Sequence, residues 1–163
     1  MRSSGNGLVF AAGSALAAAA LGSLGSAKAP KVYRQLDKPR WAPPAGVFGP
    51  VWSVLYAAIG VAGWRLWRKR AGRTTLGLHL GQLALNAAWP SAFFVARDRT
   101  LSLAVVAALD ATIAAELATA ARRDPVAAGL LAPYLAWSLY ATALTAAIRD
   151  PKSTSLVRRW LRR

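Results

Sequence analysis

The chemistry this sequence offers is carried by aromatic side chains. From Phe48 one recurs at every fourth position, Phe48, Trp52 and Tyr56, just after the segment Trp41-Ala42-Pro43-Pro44-Ala45-Gly46. Residues four apart lean toward one side of an α-helix, so these rings line one flank beneath a segment stiffened by proline. Further along, Gln82, Asn86, Trp89 and Phe93 fall on a second stripe, and Pro133, Trp137 and Ala141 stand at i, i+4 and i+8 on a third. Pro90 has no N–H to give the carbonyl of Asn86, which adds a main-chain acceptor to that amide side chain. Ring faces supply contact area and a few polar groups fix orientation, so the set suits a flat apolar ligand.

Other chemistries are poorly served. With no cysteine, the chain has no disulfide framework, thiolate metal site or thiol nucleophile. The single histidine, His79, cannot build a metal site alone. A Ser-His-Asp triad would require His79 and Asp110 to meet a serine, and no elbow motif supports one. There is no glycine-rich phosphate loop. No metal, resident cofactor or dedicated catalytic residue is expected, and any reaction would fall to tryptophans and a bound ligand.

The elements that position these residues follow from charge. The 163 residues are 55% hydrophobic with a formal net charge of +15. The basic residues cluster between charge-poor runs instead of alternating with apolar residues along one face, which argues against a nucleic-acid partner. The runs 8–27, 47–64, 74–96, 101–121 and 126–148 each approach the roughly 20 residues that cross ~30 Å of hydrocarbon. They predict an all-α membrane protein, a bundle of five transmembrane helices over about 7–27, 45–68, 74–96, 101–122 and 126–149. Residues 1–149 then form one membrane domain and 150–163 a basic C-terminal tail. The first run, followed by Ala27-Lys28-Ala29, imitates a secretory signal. Its Ala and Gly content favours instead a retained helix shielded by its neighbours. The first and third connectors and the tail hold 13 Lys and Arg against 8 on the other side, which places the C-terminus in the cytoplasm. The tail, ending Arg158-Arg159-Trp160-Leu161-Arg162-Arg163, is expected to anchor on anionic lipid.

On the third run Gly77, Gly81, Ala84 and Ala88 form a smooth stripe that lets a second copy or a neighbouring helix approach. Asp110 lies inside the fourth run, where an ionised carboxylate costs roughly 3 kcal/mol. It must be protonated, hydrated or paired, with His79 and Gln82 as candidate partners and a proton-linked role as one consequence. Glu116 is expected to reach Arg123, one heptad later.

Three segments resemble one family. They are Lys38-Pro39-x-Trp41-x-Pro43-Pro44 with Phe48-Gly49-Pro50-Val51-Trp52-x-x-Leu55-Tyr56, then Gly81-Gln82-Leu83-Ala84-Leu85-Asn86-x-x-Trp89-Pro90 with Phe93-Phe94-x-Ala96-Arg97, and Pro133-Tyr134-Leu135-Ala136-Trp137. In order and spacing these are similar to the TspO / translocator protein family, the tryptophan-rich sensory proteins or peripheral-type benzodiazepine receptors. The resemblance implies a five-helix membrane bundle that often dimerises through the third helix. It also implies a pocket for porphyrins such as protoporphyrin IX or a haem-like tetrapyrrole, closed by the first connector. Carried over, the family's pocket positions fall on Trp52, Asn86, Trp137 and Ala141, with Trp41, Pro43 and Pro44 in the lid. The implied role is a sensor, regulator or carrier in a bacterial cell membrane. The alternative is light- and oxygen-dependent protoporphyrin degradation by the tryptophans matching Trp52 and Trp137. Ala87 stands where the family often has tryptophan, and Val105 where it often has an acid. No Lys or Arg follows Tyr134 or Tyr140 closely enough for the family's cholesterol pattern.

Overall fold

A computed structural model describes residues 4–149. The basic tail and its expected lipid anchor lie outside the described residues. The elements are α1 (Ser4–Gly25), α2 (Ala29–Gln35), a 3₁₀ turn (Ala45–Val47), α3 (Phe48–Arg68), α4 (Gly72–Pro90), α5 (Arg99–Ala121) and α6 (Pro125–Ala147). No strand occurs among the described residues, and Asp37 and Arg149 form one isolated bridge. The five long helices match the five charge-poor runs, and the chain is an all-α membrane protein.

The boundaries have local causes. Asp98 caps α5 by accepting from the Leu101 N–H at 3.0 Å, and Asp124 caps α6 through Val126 and Ala127. Pro125 opens α6, where its missing N–H costs nothing. Gly72 starts α4 at φ +88°, a left-handed conformation that favours glycine. Pro90 is followed by a π-helical turn over Ser91–Val95, in which the Ala96 N–H reaches the Ser91 carbonyl at 2.9 Å. The short helix α2 was not foreseen in the breaker-rich connector. Pro30 sits in its first turn and Val32 and Tyr33 are its buried face.

α1 packs on α3 and α4, α3 on α6, α6 on α5 and α5 on α4, closing a ring in the order α1–α3–α6–α5–α4. α1, the segment 45–68, α5 and α6 are each long and apolar enough to cross a membrane. α4 instead carries the polar load and buries Thr75, His79, Gln82 and Asn86. An amide facing hydrocarbon would lack partners, so that face turns into the ring. α1 is shielded along one stripe only. Ala11, Ala15 and Ala18 are buried, whereas Leu8, Val9, Leu16, Leu21 and Leu24 face outward. The core is close-packed around Ile59, Leu66, Ile113, Leu131 and Tyr134, all fully buried. Lipid is as apolar as this core, so packing contributes more than burial.

Candidate functional site

The connector 28–47 is strapped across one end of the ring. Val32, Tyr33 and Leu36 pack on Leu144 and Ile148 of the α6 end, with Phe48, Phe93 and Tyr140 around them. Asp37 and Arg149 exchange main-chain hydrogen bonds of 3.0 and 3.1 Å. The Tyr33 hydroxyl donates to the Pro43 carbonyl at 2.7 Å. Lys38 Nζ donates to the carbonyls of Tyr33 (2.7 Å) and Leu36 (3.0 Å) and lies 4.9 Å above the Tyr33 ring. Burial, and secondarily the neighbouring Tyr140, pushes the Tyr33 hydroxyl above its ordinary pKa, so it remains a donor at physiological pH. The Tyr140 hydroxyl donates to the Trp41 carbonyl at 3.0 Å, with the two rings edge to face at 5.7 Å. Trp41 is 49% exposed. It and Pro44 form the outer surface of the lid, and Pro43 is half-buried.

Beneath this strap the rings run on. Trp137 meets Tyr140 at 5.5 Å and Phe48 at 6.0 Å. Trp52 meets Tyr56 at 5.5 Å and Tyr134 at 6.2 Å. One layer deeper, Asn86 bridges three helices. Its Oδ1 accepts from the Tyr56 hydroxyl at 2.5 Å and its Nδ2 donates to the Tyr134 hydroxyl at 3.0 Å. The amide is therefore already engaged, which leaves it one N–H and one lone pair for anything else. Trp137 Nε1 and Ser138 Oγ are buried without a partner among the described residues. Ala141 lies half-buried one turn beyond Trp137, and its carbonyl accepts from Thr145 Oγ1.

Not every residue of the stripes converges. Trp89 stacks on Phe93 at 4.9 Å and 18°, with Phe94 against both. Among the described residues no ring contact joins this group to Trp52 or Trp137. Gly77, Ala84 and Ala88 are exposed and Gly81 half-buried, where an added Cβ would meet the Thr112 methyl at 3.7 Å. The smooth stripe thus faces out of the ring.

The charges pair differently from expectation. Glu116 meets His79, with Oε1 and Nδ1 2.7 Å apart and both side chains fully buried. It does not reach Arg123, which is exposed at the helix end. Asp110 accepts from Thr142 Oγ1 of α6 at 2.6 Å, in place of His79 or Gln82. The cause is rotational: six residues turn a helix about 240°, so Asp110 faces α6 while Glu116 faces α4. At the end opposite the lid, Arg65 grips Asp124 through Nε–Oδ2 (2.9 Å) and Nη2–Oδ1 (3.0 Å). That fork holds the Asp124 carboxyl below its ordinary pKa. Tyr134 is the site residue the helical stripes missed. It lies just after Pro133, and full burial of a hydroxyl that must find a partner is the signal it gives.

Comparison with known proteins agrees with this architecture. The sequence profile of the TspO/MBR family matches residues 10–150. The chain is 43% identical to the translocator protein of Homo sapiens over 117 residues, 69% of each chain. It is 34% identical to the tryptophan-rich sensory protein of Cereibacter sphaeroides over 112 residues, 69% of this chain and 71% of that one. It is 33% identical to the tryptophan-rich protein TspO of Chlorobaculum tepidum over 133 residues, 77% and 84% of the two chains. An inward-facing polar helix, four apolar spans around it and a match over most of the length lead to one assignment: the chain belongs to the TspO/MBR family of integral membrane proteins.

Proposed function

We propose that this protein binds a flat tetrapyrrole, of the protoporphyrin IX or haem kind, between the strap and the rings of Trp52 and Trp137, and acts as a sensor, regulator or carrier for it. The observation that carries this reading is Trp137. Its indole N–H is buried without a partner among the described residues, directly below a lid held by its neighbour Tyr140. A buried donor without a partner is costly, and an oxygen or nitrogen acceptor on a bound ligand would satisfy it. Phe48 offers a ring beside it, and Trp52 and Tyr134 meet each other in the core against which Trp137 packs. Asn86 supports the site chiefly by fixing Tyr56 and Tyr134.

The lid and the end of α6 lie on one side of the bundle, and the Lys and Arg distribution supports the cytoplasmic side of a cell membrane for it. The outward stripe of Gly77, Gly81, Ala84 and Ala88 is where a homodimer would form.

Quenching of tryptophan fluorescence by protoporphyrin IX in darkness tests the reading. Losing one hydrogen bond and part of a stacked ring, together about 1–2 kcal/mol, should weaken binding by Trp137→Phe roughly tenfold. Asn86→Ala should weaken it as well. Unchanged affinity in both variants would remove the site. Illumination of the same samples separates binding from degradation, because an enzyme would form a new absorbing product that Trp52→Phe does not.

A further inference from the structure

A second concavity lies away from the lid. Between α1 and α3 runs a groove of about 630 Å³, within the ~300–1,000 Å³ range of small-molecule sites. Its floor is small, with Ala11, Ala15 and Gly60, and its rims are Leu8, Leu16 and Val61, each exposed to the surrounding medium. It extends along α3 from Ser53 to Trp64, which at ~1.5 Å per residue is about 17 Å. That is close to one leaflet of a hydrocarbon core ~30 Å thick.

Basic side chains gather just beyond one end of the groove. At the Trp64 end the Arg68 guanidinium lies 4.6 Å above the Trp64 ring, and Lys69, Arg70 and Arg73 are exposed in the connector that follows. The acid held at that end, Asp124, is already gripped by Arg65. The lining itself is uncharged throughout. An apolar trough one leaflet long with cations beyond its mouth matches an anionic headgroup with one extended acyl chain, whichever leaflet that end faces.

We infer that the α1–α3 groove is a binding site for one anionic phospholipid, its acyl chain along Ala15 and Gly60 and its headgroup at Arg68 and Lys69. Tyr56 forms part of the groove wall while its hydroxyl reaches Asn86. Lipid in the groove therefore touches the same tyrosine that braces the ring interior. The groove shares Tyr56 with the proposed tetrapyrrole site but is otherwise lined by different residues, and the inference does not depend on that site.

Native mass spectrometry of full-length protein tests the inference, using phosphatidylglycerol and phosphatidylcholine of equal chain length in competition. Wild type should retain one phosphatidylglycerol per chain. Ala57→Phe, which fills the groove from its rim, should lose it while still binding protoporphyrin IX. The double variant Arg68→Gln/Lys69→Gln should reduce the preference for phosphatidylglycerol roughly tenfold. Bromination of the lipid chain should quench Trp64 in wild type, and Trp64→Phe should lose that share of the quenching. Equal retention of the two lipids, or retention unchanged in Ala57→Phe, would overturn the inference. So would displacement of the lipid by protoporphyrin IX, or loss of a dimer in Ala57→Phe, since either would give the groove a different occupant.

Discussion

The two ends of the bundle are closed by different means. Opposite the lid, an ion pair does the closing, with Arg65 forked onto Asp124, and deeper in the ring the fully buried His79 and Glu116 are hydrogen-bonded. At the lid end the strap is held to the bundle by apolar packing on Leu144 and Ile148, by rings, by the paired main-chain bonds of Asp37 and Arg149, and by neutral hydrogen bonds such as Tyr140 to Trp41. An uncompensated charge inside a membrane protein is expensive, and a neutral hydrogen bond contributes about 1 kcal/mol net. One end is therefore locked, and the other, closed without an ion pair, is the one that can open. The proposed ligand site lies at that end.

The largest expected break is at the locked end. Glu116→Leu leaves the buried His79 Nδ1 without its partner and should lower stability by about 3 kcal/mol, read as thermal unfolding in detergent. The double variant His79→Leu/Glu116→Leu removes both polar groups and should recover much of that loss. If it is as unstable as the single variant, the pair is not what holds this layer. Next is Gly63→Ala. Its Cβ would stand 2.5 Å from His79 Nε2, and overpacking of that kind costs about 1–3 kcal/mol.

Acid should then weaken the same end. The Arg65 fork lowers the Asp124 pKa, so its contribution is complete above the ordinary carboxylate value of about 4 and disappears as pH falls through the lower folded value. The Tm difference between wild type and Asp124→Asn should be constant from neutral pH to about 5. It should shrink in stronger acid. A difference that grew on acidification would contradict the pairing. The smallest effect belongs to the lid. Tyr140→Phe should cost about 1 kcal/mol, leave the far end unchanged and speed release of bound protoporphyrin.

Much of this was legible in the residues. Charge-poor runs located the long helices because segregation of Lys and Arg survives in any bundle arrangement. Proline and ring spacing located the lid and the flank of Phe48, Trp52 and Tyr56. Partner choice was not legible in the same way, because it depends on helix rotation and depth together. Tyr56 and Asn86 are 30 residues apart, centred on the α3–α4 connector, and His79 and Glu116 are 37 apart, centred on the α4–α5 connector. Consecutive antiparallel helices reach the same depth at equal distances from their shared connector, so depth counting points to both pairs, whereas the heptad that favoured Arg123 treats one helix in isolation. The short helix α2 was hidden by its own proline, which reads as a breaker in a connector and as a first-turn residue once Val32 and Tyr33 are seen to be buried.

Amide hydrogen exchange with and without protoporphyrin IX tests most directly whether the end that opens is the end that binds. Ligand should protect amides 37–47, with smaller effects around Trp52 and Trp137, and leave the connectors 69–72 and 122–124 unchanged. Protection confined to those two connectors, or to the α1–α3 groove, with the lid unaffected would contradict the account.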